Sequence, residues 1–298
     1  ASQVQFVMTM FLAAVTGTGS ILGAQYFGKQ DFESLDDIYH MSLRLAAVID
    51  ILFFVACLFF PQYLMAFFTN DSTLAGIGID YLRMASFSYL LVGFSIVIEI
   101  MMRVTDHAVA GAWISFSAVI SNVILNAVFI FGLFGAPQMG ARGAALATTI
   151  SRVIELALCI TLTFMPGFIG PNPKHILRHN ALLAHDYIRI SIPILGASLL
   201  WGIGFTSYTA IMGHMGKDAA AANSIAVVVR DLVCCVCNGI GSAAAIMIGN
   251  ELGAGELDRA RTYGYRLTRL SWLIGFLSMG VVLLLTPLVV HFMKLTPQ

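Results

Sequence analysis

The sequence predicts an all-α, polytopic membrane bundle of about eight spans. Three observations predict it. Of 298 residues, 58% are hydrophobic and only 11% charged, where an ordinary soluble domain has about 25% charged residues. Mean hydropathy is +0.86. The apolar residues also fall in runs long enough to cross a hydrocarbon core, in which a helix satisfies its own backbone. This composition excludes a soluble globular enzyme and a disordered chain. The 16 Lys and Arg balance the 16 Asp and Glu, so a basic-patch nucleic-acid binder is excluded too.

Taken in order, the first expected span covers 3–27 and is punctuated by Gly17-Thr18-Gly19-Ser20, small residues that let helices approach closely in lipid. The acidic run Asp31-Phe32-Glu33-Ser34-Leu35-Asp36-Asp37 follows and is expected to be a loop. Further spans cover 43–68, 79–102, 110–134 and 143–165, the last opening on Gly143-Ala144-Ala145. The longest connector, 166–186, carries Pro166, Pro171 and Pro173 and divides five spans from three, so it is the expected domain boundary. Beyond it come 187–213, 220–249 and 268–293. Pro193 in the first of these removes one helical hydrogen bond and is a candidate bend. Cys57, Cys159, Cys234, Cys235 and Cys237 lack the spacing of a disulfide framework; on a helix Cys234-Cys235-Val236-Cys237 fans across neighbouring faces and cannot alone close a tetrahedral metal site.

Lys and Arg in alternate connectors set the orientation. Lys29, Arg44, Arg103, Lys174, Arg178, Arg189, Arg259, Arg261, Arg266 and Arg269 lie on one side, against Arg83, Arg142, Lys217 and Lys294 on the other, which places the first side in the cytoplasm. An internal repeat is superimposed on this pattern. Gln25-Tyr26-Phe27-Gly28-Lys29-Gln30-Asp31 resembles Asn250-Glu251-Leu252-Gly253-Ala254-Gly255-Glu256 at an offset of 225, which also pairs Arg44-Leu45 with Arg269-Leu270. Both copies fall on the cytoplasmic side, as expected of two related bundles in parallel orientation.

These residues resemble the multidrug and toxic compound extrusion (MATE) family. Its pattern A-Q-x-x-G-x-x-D is matched by Ala24-Gln25-Tyr26-Phe27-Gly28-Lys29-Gln30-Asp31, and the second-lobe counterpart by Ile248-Gly249-Asn250-Glu251-Leu252-Gly253-Ala254-Gly255. N-x-x-L-[DN]-x-x-F-I-F-G is matched from Asn122 to Gly132, and G-A-P-x-x-G-x-x-G-A-A-x-A-T from Gly135 to Thr148. The motifs occur in family order over nearly the whole chain. The resemblance implies a two-lobe MATE/flippase-type superfold of twelve spans, with residues 1–170 as most of the first lobe (family helices two to six) and 171–298 as the first half of the second (helices seven to nine). It implies a multi-pass protein of the cytoplasmic membrane that exports small amphipathic organic cations and related drugs in exchange for Na+ or H+, with no other cofactor. We expect a monomer whose partners are a drug-like small molecule and membrane lipid. On this mapping the chain is a window on a parent of about 435 residues.

The resemblance also directs attention to particular residues. Asn122 and Asn126 lie four apart on one helical face. Many relatives carry Asp at the position of Asn126, where it helps bind the coupling cation; Asn offers a carbonyl oxygen but takes up no proton near neutral pH. An interhelical hydrogen bond is the alternative reading. Thr148 matches a cavity threonine of the family, or bonds back to its own helix. Ser198 aligns with a position where many relatives carry Glu, and a neutral Ser cannot shuttle a proton. Trp201 is expected either to stack on an aromatic cation or to pack. Intramembrane charges are functional candidates by default: Asp50, Glu99, Arg103 and Asp231. Glu99–Arg103 and Arg152–Glu155 have the spacing of salt bridges on one helix, whereas adjacent Arg230 and Asp231 are expected to point apart and find partners elsewhere. The acidic run and the Arg259–Arg269 set lie in matching cytoplasmic loops, either as a gate contact or as solvated faces. A flippase for lipids or lipid-linked saccharides remains the alternative function. An intramembrane enzyme is the remote one, for the seven His sit in connectors or near span ends and no G-x-S-x-G or H-E-x-x-H occurs.

Overall fold

The computed structural model describes residues 2–68, 72–135, 137–172, 175, 180–214 and 217–292. Pro173, Lys174, Arg178, His179 and Lys294 lie outside them. Nine helices are seen among the described residues: α1 (Ser2–Gly28), α2 (Phe32–Phe59), α3 (Pro61–Phe68), α4 (Ser72–Val104), α5 (Ala108–Phe131), α6 (Ala141–Thr163), α7 (Ala181–His214), α8 (Lys217–Gly253) and α9 (Leu257–Phe292). All but α3 are long and apolar enough to cross a membrane.

Two expectations change here. The acidic run Asp31–Asp37 opens α2 rather than forming a loop. Asp31 caps that helix, accepting from the Ser34 N–H at 3.1 Å, while Leu35, Ile38 and Tyr39 bury one side of the first turns. The basic Arg259–Arg269 set is likewise helical, in the opening turns of α9. The expected span 43–68 also divides. α2 stops at Phe59 and Pro61 starts α3, a position where its missing N–H costs no helical bond.

The internal repeat has a local geometric counterpart. α1 ends with Lys29 N–H on Gln25 O (3.0 Å), Gln30 N–H on Phe27 O (3.0 Å) and Asp31 N–H on Tyr26 O (3.0 Å). α8 ends with the same three bonds 225 residues on, from Ala254 to Asn250 (2.9 Å), Gly255 to Leu252 (3.1 Å) and Glu256 to Glu251 (3.0 Å). The middle residue is left-handed in both, Gln30 at φ 62° and Gly255 at φ 79°. This is a Schellman closure in which the last helical carbonyls are satisfied before the next helix begins. The α4–α5 turn repeats it around Asp106 (φ 64°), with His107 N–H on Met102 O at 2.8 Å.

Contacts divide the chain into two units, Ala1–Leu199 and Leu200–Gln298. In the first, α4 is the central helix, packed by α1, α2, α3, α5 and α6. Leu82, Tyr89, Val92, Val97, Ile98 and Met101 bury several sides of it, as a helix inside a bundle requires. The division falls within α7 because the first half of that helix packs on α1 and α2. Tyr187 Oη, fully buried, donates to Val15 O (2.7 Å) and lies 2.9 Å from Ser42 Oγ; Ser191 Oγ meets Thr18 Oγ1 at 2.9 Å. Tyr187→Phe is therefore expected to lower the stability of the full-length protein by about 1 kcal/mol in detergent unfolding, since Ser42 loses its partner inside the bundle. In the second unit α8 packs against α9.

Candidate functional site

The sequence places two polar clusters and one isolated acid inside the first unit. Asn122 and Asn126 project from α5 and Thr148 from α6, and the structure brings them together. Asn126 Nδ2 donates to Asn122 Oδ1 at 2.9 Å, Asn122 Nδ2 to Thr148 Oγ1 at 3.4 Å, and Thr148 Oγ1 to Ala144 O at 2.9 Å. Both alternatives for these residues are thus realised at once, an interhelical bond and a back-bond. One atom remains over: Asn126 Oδ1 is buried and accepts no hydrogen bond among the described residues. The donors run one way, from Asn126 to Ala144 O, and the residue that starts the chain keeps an acceptor with nothing to accept. Such an oxygen in a membrane interior suits a cation or an N–H donor.

α6 reaches this position because Gly143 lies directly on the end of α5. An added Cβ there would stand 2.6 Å from Phe129 O. That carbonyl also accepts the Met139 N–H at 3.0 Å, which folds the connecting loop back over the helix end.

Glu99, on α4, is 4% exposed. Ser115 Oγ, from α5, lies 2.9 Å from each of its carboxylate oxygens, and Arg103 Nη2 is 3.3 Å from Oε2. The expected i,i+4 pair therefore forms, and Ser115, which no sequence spacing singles out, completes it. Arg152 Nη1 pairs with Glu155 Oε2 at 2.5 Å, as its i,i+3 spacing predicts. Both acids have their charge answered and behave as interhelical or intrahelical braces.

Asp50, on α2, is different. It is fully buried, and no Lys, Arg or His among the described residues comes within ion-pair distance of it. The amides of Gly93 and Phe94 on α4 face its carboxylate; Gly93 N–H donates to Oδ2 at 3.0 Å, and Oδ1 completes no hydrogen bond. Gly93 is what permits the approach, for a Cβ would stand 2.5 and 2.6 Å from the two oxygens.

At the same end of the bundle as the α1–α2 turn, Asp36 accepts from Asn172 N–H (2.9 Å) and meets His175 Nδ1 (2.7 Å), while His40 Nε2 lies 2.9 Å from Asn172 O. The acidic run thus ties down the proline-bearing connector, a role its composition does not announce.

The second unit holds Trp201, Arg230 and Asp231. Trp201 stacks on Phe205 with centroids 5.6 Å apart and rings 7° from parallel, and Arg230 lies over the Phe205 ring at 4.6 Å. Arg230 and Asp231 do not point apart. Nε and Nη2 of the arginine approach Asp231 Oδ1 at 3.1 and 2.8 Å. The three-methylene arm of an arginine is long enough to bend back across the angle between neighbouring positions. One Trp201 face is therefore taken by Phe205. Ser198 is half-buried on α7 in the first unit.

A helical bundle of apolar spans with an amide–hydroxyl chain and a buried carboxylate inside it is a polytopic membrane protein that carries polar groups in its interior. The family model described as MatE matches residues 1–128 and 193–298, and the chain belongs to that family. It is a multi-pass membrane protein and not an enzyme. It is 29% identical to a probable multidrug resistance protein NorM of Bradyrhizobium diazoefficiens, over 89% of this chain and 57% of that protein. It is also 29% identical to a protein of the same name from Rhodopseudomonas palustris, over 95% of this chain and 59% of that one. The chain thus spans less than two thirds of the length of these relatives. Among solved structures it is similar to a MOP superfamily transporter from Pyrococcus furiosus, with TM-score 0.88 and 17% identity over 99% of this chain and 65% of that one. An outward-facing multidrug resistance MATE family transporter gives TM-score 0.87 and 18% identity over 97% and 64%. At these identities the structural likeness establishes the fold.

Proposed function

We propose that this chain forms part of a secondary antiporter that exports small amphipathic organic cations or drugs across the cytoplasmic membrane in exchange for Na+ or H+. Residues 1–170 form most of its first lobe and 171–298 the first half of its second. The whole protein works as a monomer in lipid. No cofactor takes part, and Asn122, Asn126 and Thr148 line the first-lobe cation site. The observation that carries this reading is the buried, unanswered Asn126 Oδ1 at the end of the Asn122–Thr148 chain. Its setting among relatives named as multidrug resistance proteins supports it. Ser198 and Trp201 stand as second-lobe candidates. Trp201 carries its indole stacked on Phe205, an aromatic pair of the kind that attracts an aromatic cation. Ion and drug must favour opposite-facing states, since a ligand with equal affinity for both shifts neither.

The test is transport by the full-length protein in vesicles, with Na+ and H+ gradients imposed separately. Drug accumulation driven by one gradient and collapsed by the matching ionophore is the expected result. Accumulation under neither gradient overturns the reading.

A further inference from the structure

We propose that Asp50 is a proton-binding site of the transport cycle, separate from the asparagine cluster and sealed by the α2–α4 contact. This rests on the antiporter reading and adds to it a proton site distinct from the cation site at the asparagine cluster.

Asp50 is 0% exposed within the apolar second half of α2. An ionised carboxylate at that depth needs a countercharge. α4 presents Gly93 and, one turn earlier, Tyr89, whose only ionisable atom is a buried phenol. On α2 itself Cys57, two turns on, shares the face, and Ala46 and Phe53 are the flanking buried residues. α1, packed on both helices, has no ionisable side chain before Tyr26; α3 has only Tyr63, and α7 meets α2 at Ser42 with the Tyr187 phenol. None of these groups is a cation. Sodium would require several oxygens around it, as other hard cations do, whereas a proton needs only one. The chemistry of the pocket therefore selects a proton.

The geometry also supplies a gate. The carboxylate is closed off by the Gly93 backbone, which meets both oxygens only because that residue has no Cβ. While α2 lies against Gly93 the acid holds its proton. When the contact parts, water reaches Oδ1, the O–H bond breaks, the proton leaves on water, and the carboxylate is solvated. Resealing requires the carboxylate to take a proton from hydronium first, leaving water, so closure and proton uptake are one event. Asn126 and Ser198 cannot perform this exchange, and Glu99 is already held by Ser115 and Arg103.

The experiment is infrared spectroscopy of the purified full-length protein at neutral pH, comparing wild type with Asp50→Asn. A buried protonated carboxyl C=O band, present in wild type and lost in Asp50→Asn, is expected. Proton release on addition of the drug, read with a pH dye, should fall at least twofold in the variant. An unchanged band, or unchanged proton release, overturns the proposal. Should the variant fail to fold, wild type carrying 13C-labelled aspartate must show the band displaced by the isotope; a band that stays in place overturns the proposal equally. Because the band is read without transport, its loss in Asp50→Asn stands even if no gradient drives drug uptake. The failure of this proposal is thereby distinguishable from failure of the antiporter reading.

Discussion

Gly143→Ala is expected to be among the most damaging single-methyl changes in the first unit, costing about 2 kcal/mol of stability. The new Cβ would stand 2.6 Å from Phe129 O, 2.9 Å from its carbonyl carbon and 3.0 Å from its Cβ. Two of these three atoms are backbone, so no rotamer change relieves the clash. The Phe129 carbonyl is further fixed by the Met139 N–H at 3.0 Å. α6 must therefore retreat from α5. Thr148 moves with it, and its 3.4 Å contact with Asn122 is already the longest in the cluster. The variant should unfold several degrees lower in a thermal fluorescence assay of the full-length protein, and should lose ion-dependent drug binding at temperatures where it remains folded. A wild-type melting curve would mean that the close approach of the two helices is not what this glycine secures. Gly93→Ala differs in kind: its clash is with the Asp50 side chain, which can swing aside. That change should spare stability more than Gly143→Ala does, and act on the α2–α4 seal instead.

What could be read from the sequence divides by distance along the chain. Spans, and the salt bridges at i,i+3 and i,i+4, are local and were legible in spacing. So was the offset of 225, whose matched Schellman turns at Gln30 and Gly255 give the repeat a geometric basis. The start of α2 was not legible as helix. Its charges lower the hydropathy of any window that includes them, while the cap at Asp31 and the apolar side formed by Leu35, Ile38 and Tyr39 operate at single positions. Arg230 and Asp231 misled because side-chain direction at the Cα says little about where a flexible arm ends. Of the candidate residues, the asparagine pair could be named from the motif, but the direction of its hydrogen bonds could not. Ser115 on Glu99, Gly93 on Asp50 and Tyr187 on Ser42 join residues on different helices, and nothing in one sequence pairs them. The chemistry of each acid is set by such partners. Glu99 and Asp50 look equivalent as letters in apolar runs, yet one is answered by a hydroxyl and a guanidinium and the other by the backbone alone.

The same reasoning makes Asn126→Asp a sharp test of the first-lobe cluster. At present Asn126 Nδ2 gives a hydrogen bond to Asn122 Oδ1 at 2.9 Å. Aspartate replaces that donor with an oxygen, and two acceptors then face each other. Only three arrangements relieve this: a proton on the new carboxyl, a cation between the oxygens, or a flip of the Asn122 amide. The flip turns Asn122 Oδ1 towards Thr148, whose hydroxyl must then leave Ala144 O to donate to it. The first two make ion binding a condition of a satisfied cluster, and the third exchanges one bond for another at little gain. Asn126→Asp should therefore bind the coupling cation more tightly and acquire a pH dependence in the range where a carboxyl competes with it. An affinity gain of about tenfold corresponds to about 1.4 kcal/mol, well within what a charged oxygen adds over a neutral one. Asn126→Leu removes the free carbonyl and should abolish ion-driven uptake in vesicles while the protein still folds. If Asn126→Leu transports as wild type does, or if Asn126→Asp leaves ion affinity and pH dependence unchanged, the unanswered oxygen is not the coupling site. The asparagines would then be a brace between α5 and α6.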